Sequence, residues 1–405
     1  MLPEEAALLD RICADPDDDG PRLVFADWLD ERNDPRGEFI RVQVALARVA
    51  ANDPLIGALR DREEVLLARY HAGWSDQLRG VAGWAEFRRG FVETVNLEAR
   101  TFLRRAPELF RLAPVRHVRF LDVGSTLERL MESPHLAHLN ALTIYAQHID
   151  ERLTRLLVES PHLGALGHLN IGRNRVSDRG AERLAWSPRF RNLATLDLSD
   201  NALGDTGIRA IAGSTNLSGL ASLELRRNEV TRFGLGALCA SPALSRLRHL
   251  GMALNHVRTP QEWVPPSAGA VTLESLDLSE NGLTPDAMAM VTALPGLAQL
   301  ARLNLGHNEV GNTGAAVLAA WKAATALRVL RLTNNRIGDD GARALARSPY
   351  FHQLTELDLS DNPVHDRGGY EFLNTPRFPQ LKRLGLPQWG LTPKMRRALA
   401  ARYGG

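Results

Sequence analysis

The sequence predicts an α/β solenoid: a right-handed horseshoe with a parallel β-sheet on its concave face, helices on its convex face, and a small all-α domain in front. Two observations carry this. First, an asparagine recurs at Asn174, Asn201, Asn228, Asn255, Asn281, Asn308, Asn335 and Asn362, in steps of 27 residues with one step of 26. Second, each Asn closes the same phrase: Leu, two residues, Leu, one residue, Leu, Ile or Met, two residues, Asn. A fixed period of this size means stacked units, each burying an apolar face against its neighbours.

The phrase from Leu193 to Asn201 shows the logic. Leu196 and Leu198 alternate, so in an extended strand they point to one side, while Asp197 and Ser199 point to water. Asn201 closes the strand where the backbone turns and loses its ladder partners. An Asn amide offers both donors and acceptors and can satisfy those groups from inside the stack. Repetition makes a column of Leu behind one parallel sheet, with an Asn ladder at its end.

The second half of each unit reads as helix. After Asn335 come Ile337, Asp339, Asp340, Gly341, Ala342, Leu345, Ala346 and Ser348-Pro349. Asp339 stands where an N-cap is expected, and Pro349 where the helix has already ended. The same frame fits 178–188, 205–214 and 366–376. Strands stack about 4.8 Å apart whereas packed helices need roughly 8–10 Å, so the helical side is expected to form the longer arc of a horseshoe.

These phrases resemble the leucine-rich repeat, and the 27-residue unit with a full helix resembles its ribonuclease-inhibitor-like subclass. The resemblance covers roughly residues 90–405, with regular repeats over about 139–389. Weaker units flank them. Leu139, Leu142 and Ile144 lead to Gln147, which stands one period before Asn174. Val115, Val118 and Phe120 fit a shortened unit, and Val92, Val95 and Leu97 a more degenerate one. At the far end Leu381, Leu384 and Leu386 keep the pattern, but Trp389 takes the Asn position. A terminal repeat has no further neighbour, so atypical residues are expected there.

Composition narrows the class. The 405 residues are 44% hydrophobic, ample for a core. No apolar run approaches the ~18–20 residues of a membrane span. The acidic, amphipathic start from Met1 to Ile12 does not read as a secretory signal. Cys13 and Cys239 stand far apart, which is no disulfide framework and fits a reducing cytoplasm. A net charge of +2 argues against a dedicated nucleic-acid binder. Lys occurs only at 322, 382 and 394, and the other bases are Arg. Residues 1–40 hold twelve acids and four bases.

Residues 1–85 lack the repeat and read as helices near 3–14, 21–33, 36–51 and 54–71, punctuated by Pro21, Pro35 and Pro54. They are expected to form one domain, with the solenoid over 86–405. Pro21-Arg-Leu-Val-Phe-Ala-Asp-Trp-Leu-Asp-Glu and Asp34-Pro-Arg-Gly-Glu-Phe-Ile-Arg-Val-Gln resemble the repeat-companion domain that precedes repeat arrays in planctomycete-type bacteria. Arg89-Gly-Phe-Val-Glu fits the same architecture. The resemblance implies an architecture and a bacterial source, with no activity attached. A helical domain in this place can cover the apolar face of the first unit. Phe25, Trp28 and Leu29 share one helical face, and Phe39, Val42 and Leu46 share another; both read as core. A partner contact is the competing reading for Trp28.

Candidate chemistry is sparse. Asp15-Pro-Asp-Asp-Asp-Gly20 imitates the start of a calcium loop, but the position of the bidentate Glu is Ala26. It reads instead as an acidic turn that caps the helix from Pro21. Cys239 occupies a repeat position filled elsewhere by Ala185, Ala212, Ala319 and Ala346, so it reads as a small buried residue and not a nucleophile. His135 and His138 have ligand-like spacing but no evident third ligand. No phosphate loop or catalytic triad is recognisable. Gly180, Gly207, Gly341 and Gly368 share one position and read as structural. No cofactor and no metal are expected.

The concave face is the expected working surface, for a protein partner. It offers Tyr145, His168, Asn170 and Arg173, then Asp197 and Asp200, then Glu224, Arg226 and Arg227. Further along come Asp277 and Glu280, Asn304 and His307, Arg331 and Asn334, and Asp358 and Asp361. Their mixed sign favours protein over nucleic acid. The repeated Leu-Asp-Leu-Ser wording at 196–199, 276–279 and 357–360 is near the consensus of the repeat, so those acids can serve solvation alone. A Pro-rich loop at 259–269, with Trp263, breaks the helical half of one unit. The expectation is a monomeric, non-enzymatic, cytoplasmic scaffold. The enzyme-class alternative is a GTPase-activating regulator presenting an Arg to its partner. A purely structural array is the third reading.

Overall fold

The Leu-x-Leu phrase becomes a three-residue strand in unit after unit. A computed structural model describes residues 2–50, 53–258, 266 and 269–403. Among them thirteen strands stand in one sheet in chain order, with helices in the connections. The chain divides into two compact units, Met1–Gln147 with Glu159–Asn170, and His148–Val158 with Ile171–Gly405.

The first unit opens with α1 (Pro3–Ala14), α2 (Gly20–Asp30), α3 (Arg36–Arg48) and α4 (Leu55–Ser75). Strands β1 (Trp84–Arg88) and β2 (Phe91–Leu97) follow, then α5 (Ala99–Leu112), β3 (His117–Phe120), α6 (Leu127–Met131), β4 (Ala141–Thr143) and β5 (His168–Asn170). β1 was not expected. It pairs antiparallel with β2, whereas β2 to β5 are parallel. Its signal was the alternation of Trp84, Ala85, Glu86, Phe87 and Arg88, with Ala85 and Phe87 buried. The hairpin turns on Arg89 and Gly90, both at positive φ (49° and 85°), as a two-residue hairpin loop requires.

Leu9, Ile12, Phe25, Leu29, Ile40 and Phe91 form one buried cluster, with Trp28 packed at its edge. The front motifs meet here. Arg22, fully buried, donates from Nη2 to Glu93 Oε1 (2.6 Å) and Pro16 O (2.8 Å), and from Nη1 to Arg89 O (3.1 Å). The Gly90 amide donates to Gln43 Oε1 at 2.7 Å, and a Cβ at Gly90 would stand 2.7 Å from the Ile40 Cα. The acidic turn caps α2 through Asp18, whose Oδ1 accepts from the amide of Gly20 at the helix start (2.8 Å), while Asp19 pairs with Arg48 (2.7 Å). His135 and His138 stack with Phe110, His138 at 4.4 Å between ring centres.

The second unit holds α7 (Glu151–Glu159), α8 (Asp178–Trp186), β6 (Thr195–Asp197), α9 (Asp205–Ala212), β7 (Ser222–Glu224), α10 (Arg232–Cys239) and β8 (His249–Gly251). β9 (Ser275–Asp277), α11 (Ala287–Ala293), β10 (Arg302–Asn304), α12 (Gly311–Ala319), β11 (Val329–Arg331) and α13 (Asp339–Ala346) follow. It ends with β12 (Glu356–Asp358), α14 (Asp366–Asn374), β13 (Arg383–Gly385) and α15 (Pro393–Tyr403). Parallel register aligns Leu196, Leu223, Leu250, Leu276, Leu303 and Leu330 in one buried column. The loop at 259–269 and its Trp263 lie, apart from residues 266 and 269, outside the described residues. Cys239 is fully buried at the end of α10, and burial pushes its thiol up to about 12.

The recurrent Asn joins one unit to the last. Asn228 Oδ1 accepts from the Leu203 amide (3.1 Å), and its Nδ2 donates to Leu198 O and Leu225 O (3.0 Å each). Gln147 makes the equivalent bonds in the first unit, to Leu121 O (2.9 Å) and from the Val123 amide (3.4 Å). A second ladder corrects the reading of Asp339. The N-cap of α13 is Gly338, and the Asp339 carboxylate serves the next repeat instead, accepting from His365 (2.8 Å) and Gly368 (2.9 Å) amides. Asp205 and Asn312 do the same for Thr231 and Gly338. This explains the shared glycine: a Cβ at Gly207, Gly341 or Gly368 would stand 2.7 Å from the preceding repeat's side-chain oxygen. A third ladder follows four of the helices, where Ser214, Ser241, Ser348 and Thr375 donate to carbonyls at the end of the preceding unit's helix.

Candidate protein-binding face of the sheet

Strand alternation exposes one residue either side of each buried Leu. In the second unit, register lines up the last residue of each strand: Asp197, Glu224, Gly251, Asp277, Asn304, Arg331 and Asp358. A second row lies at the residue before each ladder Asn. Arg173, Asp200, Arg227, Glu280, His307, Asn334 and Asp361 all have φ between 51° and 56°. The left-handed residue swings the following Asn inward, because a strand continued in regular extension would not turn there. Nothing in the phrase marks this conformation except the two-residue gap before Asn.

Tyr145, His168 and Asn170 lie in the first unit, with Tyr145 and His168 exposed. The same face of that unit carries residues the sequence reading missed. Arg119 sits over the Trp84 ring (5.2 Å) and approaches Glu86 (3.4 Å). His117 is bonded to Thr143 Oγ1 at 2.9 Å. Burial, with Arg119 and His168 nearby, lowers its pKa to about 4 and keeps it neutral.

In the second unit the expected charges are mostly engaged with one another. Arg227 meets Asp200 at 3.4 Å, Arg226 meets Glu280 at 3.7 Å, and Arg331 meets Glu356 at 3.0 Å. Asn304 donates to Asp277 (3.0 Å), and Asn334 pairs with His307 (3.2 Å). Arg173 and Asp361 are exposed. The repeated Asp-x-Ser wording has a local cause. Asp197, Asp277 and Asp358 each accept the backbone amide two residues on, from Ser199, Ser279 and Ser360 (2.8–2.9 Å). Each carboxylate thus holds the exit of its own strand. Burial pushes the Asp358 carboxyl up, but bonds from Ser360 and Thr333 and the Arg331 charge outweigh it and hold it below its usual value.

Glu224 differs. Its carboxylate occupies the space over Gly251, where a Cβ would stand 1.8 Å from Oε2. Burial there, with Asp197 and Asp277 on either side, raises its pKa to about 7. The face therefore carries a carboxyl that changes charge near neutrality. Among the described residues no group of three His, Cys, Asp or Glu could hold a metal ion, and no helix is long and apolar enough to cross a membrane.

Stacked strand–helix units with an Asn ladder define a class of repeat. The sequence pattern of the Leucine Rich repeat family matches residues 166–185, 191–212, 270–291, 300–319, 324–346 and 352–373. The chain thus carries leucine-rich repeats. No curated protein matches it in sequence. Among solved structures it is similar to an internalin from Listeria monocytogenes, at 17% identity and TM-score 0.40, over 70% of this chain and 69% of that one. It is also similar to a chain of the Rad7 and Elc1 complex in yeast, at 14% identity and TM-score 0.44, over 91% and 92%. A chain in the octameric complex of Latrophilin 3, Unc5D and FLRT2 is 16% identical at TM-score 0.35, over 61% and 74%.

Proposed function

We propose that the protein is a non-enzymatic scaffold that binds a protein partner on the half-exposed face of its sheet. The observation that carries this reading is the register. Side chains from successive strands stand in fixed rows, on a sheet held by the Asn, Asp and Ser ladders. Such a preorganised surface lowers the ordering cost of association. Its charges are of mixed sign and lie close together, which suits a partner with the complementary pattern. Two free cysteines fit a reducing compartment such as a bacterial cytoplasm. Residues 1–85 serve in this reading as the repeat-companion domain of a planctomycete-type protein. The buried Arg22–Glu93 and Gln43–Gly90 contacts support a capping role over the start of a solenoid spanning 86–405.

The test is affinity capture of a partner from the native organism, followed by titration with purified partner. Reversing Arg226 and Arg227 to Glu should weaken binding about tenfold or more while the fold is kept, with only a small drop in melting temperature from the lost surface pairs with Glu280 and Asp200. Arg343→Glu, on α13, should bind normally. Unchanged affinity in the double reversal would overturn the sheet face as the site.

A further inference from the structure

After Glu371 the sequence has no acidic residue and seven bases, in a chain whose net charge is only +2. Arg402 is committed to the Leu373 and Thr375 carbonyls at the end of α14. The other six, Arg377, Lys382, Arg383, Lys394, Arg396 and Arg397, are exposed, and among the described residues none is within ion-pair distance of a carboxylate. Arginines elsewhere contrast with them: Arg41, Arg48, Arg62 and Arg347 each face an acid at 3.0 Å or less. The last unit therefore presents six exposed bases without an ion pair, even though Glu356 stands in register with Arg383 and the Asp366 carboxylate is held by Thr392.

It also has a place to hold something. Between β13 and α15 lies a cleft of about 320 Å³, bounded by Leu384, Leu386, Leu391, Leu399 and Tyr403, with the exposed Arg396 beside them. That volume is at the lower end of binding clefts, about 300 Å³ and upward. We propose that this end is a second docking surface, which takes an acidic segment of a partner protein and seats one large apolar side chain of that segment in the cleft. It goes beyond the sheet-face reading and stands without it.

Two other occupants fit less well. A nucleic-acid backbone would satisfy the cations but leave the apolar cleft unfilled, and the near-neutral chain supplies no wider basic field. A second copy would have to offer its acidic front. There Asp27 and Asp30 already face Arg41, Asp19 faces Arg48, and Glu38 faces Arg62.

A display library of random twelve-residue peptides, selected on the full chain, tests this directly. Selected peptides should be net acidic and contain a Leu, Ile, Phe or Trp. Fluorescence anisotropy with the best peptide should show binding weakened about tenfold by Lys394→Glu with Arg396→Glu, and by raised salt. Changing the peptide's apolar anchor to Ala should weaken it about tenfold as well. Lys394→Ser with Arg396→Ser serves if the double reversal does not fold. Recovery of no peptide, recovery of neutral or basic ones, or indifference to these changes overturns the proposal. So does a twenty-nucleotide single strand that binds more tightly than the best peptide and loses binding in the same variant.

Discussion

Asn308→Ala removes five hydrogen bonds at once. Nδ2 donates to Leu278 O (3.0 Å), Leu305 O (2.9 Å) and Gly306 O (3.3 Å), and Oδ1 accepts from the Asn281 (3.0 Å) and Leu283 (2.9 Å) amides. Alanine leaves both amides without this acceptor in a site only 6% exposed. An orphaned buried donor costs about 1–3 kcal/mol, and water entering the vacated space recovers part of that, so we expect about 2–4 kcal/mol in all. Ser222→Ala, on the half-exposed face of β7, should stay within about 0.5 kcal/mol. Urea unfolding followed by circular dichroism measures both. Because repeats are coupled only to neighbours, Asn308→Ala should also broaden the transition as the array loses cooperativity. A loss within about 0.5 kcal/mol of the serine variant would refute the ladder as a source of stability.

Glu224 predicts a pH effect. With its pKa raised to about 7 from 4.5, the carboxyl favours the folded state fully at acid pH, and that contribution is lost as pH rises through 7. Glu224→Gln should therefore match wild type near pH 4 and exceed it above pH 7 by about 1–2 kcal/mol, after discounting for its partial exposure. A constant difference across urea midpoints at several pH values would contradict this. Arg22→Ala should cost about 2–4 kcal/mol: Arg89 still pairs with Glu93 at 3.1 Å, but the Pro16 and Arg89 carbonyls lose their donor in a buried site. Hydrogen exchange should quicken in the β1–β2 hairpin; unchanged protection there would rule out the pair as the link between front helices and sheet.

The periodic residues were legible because each repeats its own environment. The Leu column, the Asn ladder and the helical stretches of the front could be read from one phrase and its spacing. Gln147 was legible as an Asn equivalent for the same reason. Other features were hidden by distance along the chain. Asp339 reads locally as an N-cap, yet its partners are the amides of His365 and Gly368, in the next unit. The tie from Arg22 to Glu93 spans 71 residues, so neither motif announces the other. β1 was missed because its five residues pair antiparallel across a hairpin and belong to no repeat.

The candidate face divides in the same way. Which residues flank each buried Leu follows from strand alternation, a property of the backbone alone. What those residues do there follows from their neighbours. Asp197 and Glu224 differ in sequence by one methylene, yet Asp197 reaches back to the amide two residues on, while Glu224 extends over the bare backbone of Gly251 and gains a raised pKa. Period and alternation are written within a single unit and need no partner. Charge state and hydrogen-bond commitment depend on what the adjacent strand places within reach, and only stacking in register decides that.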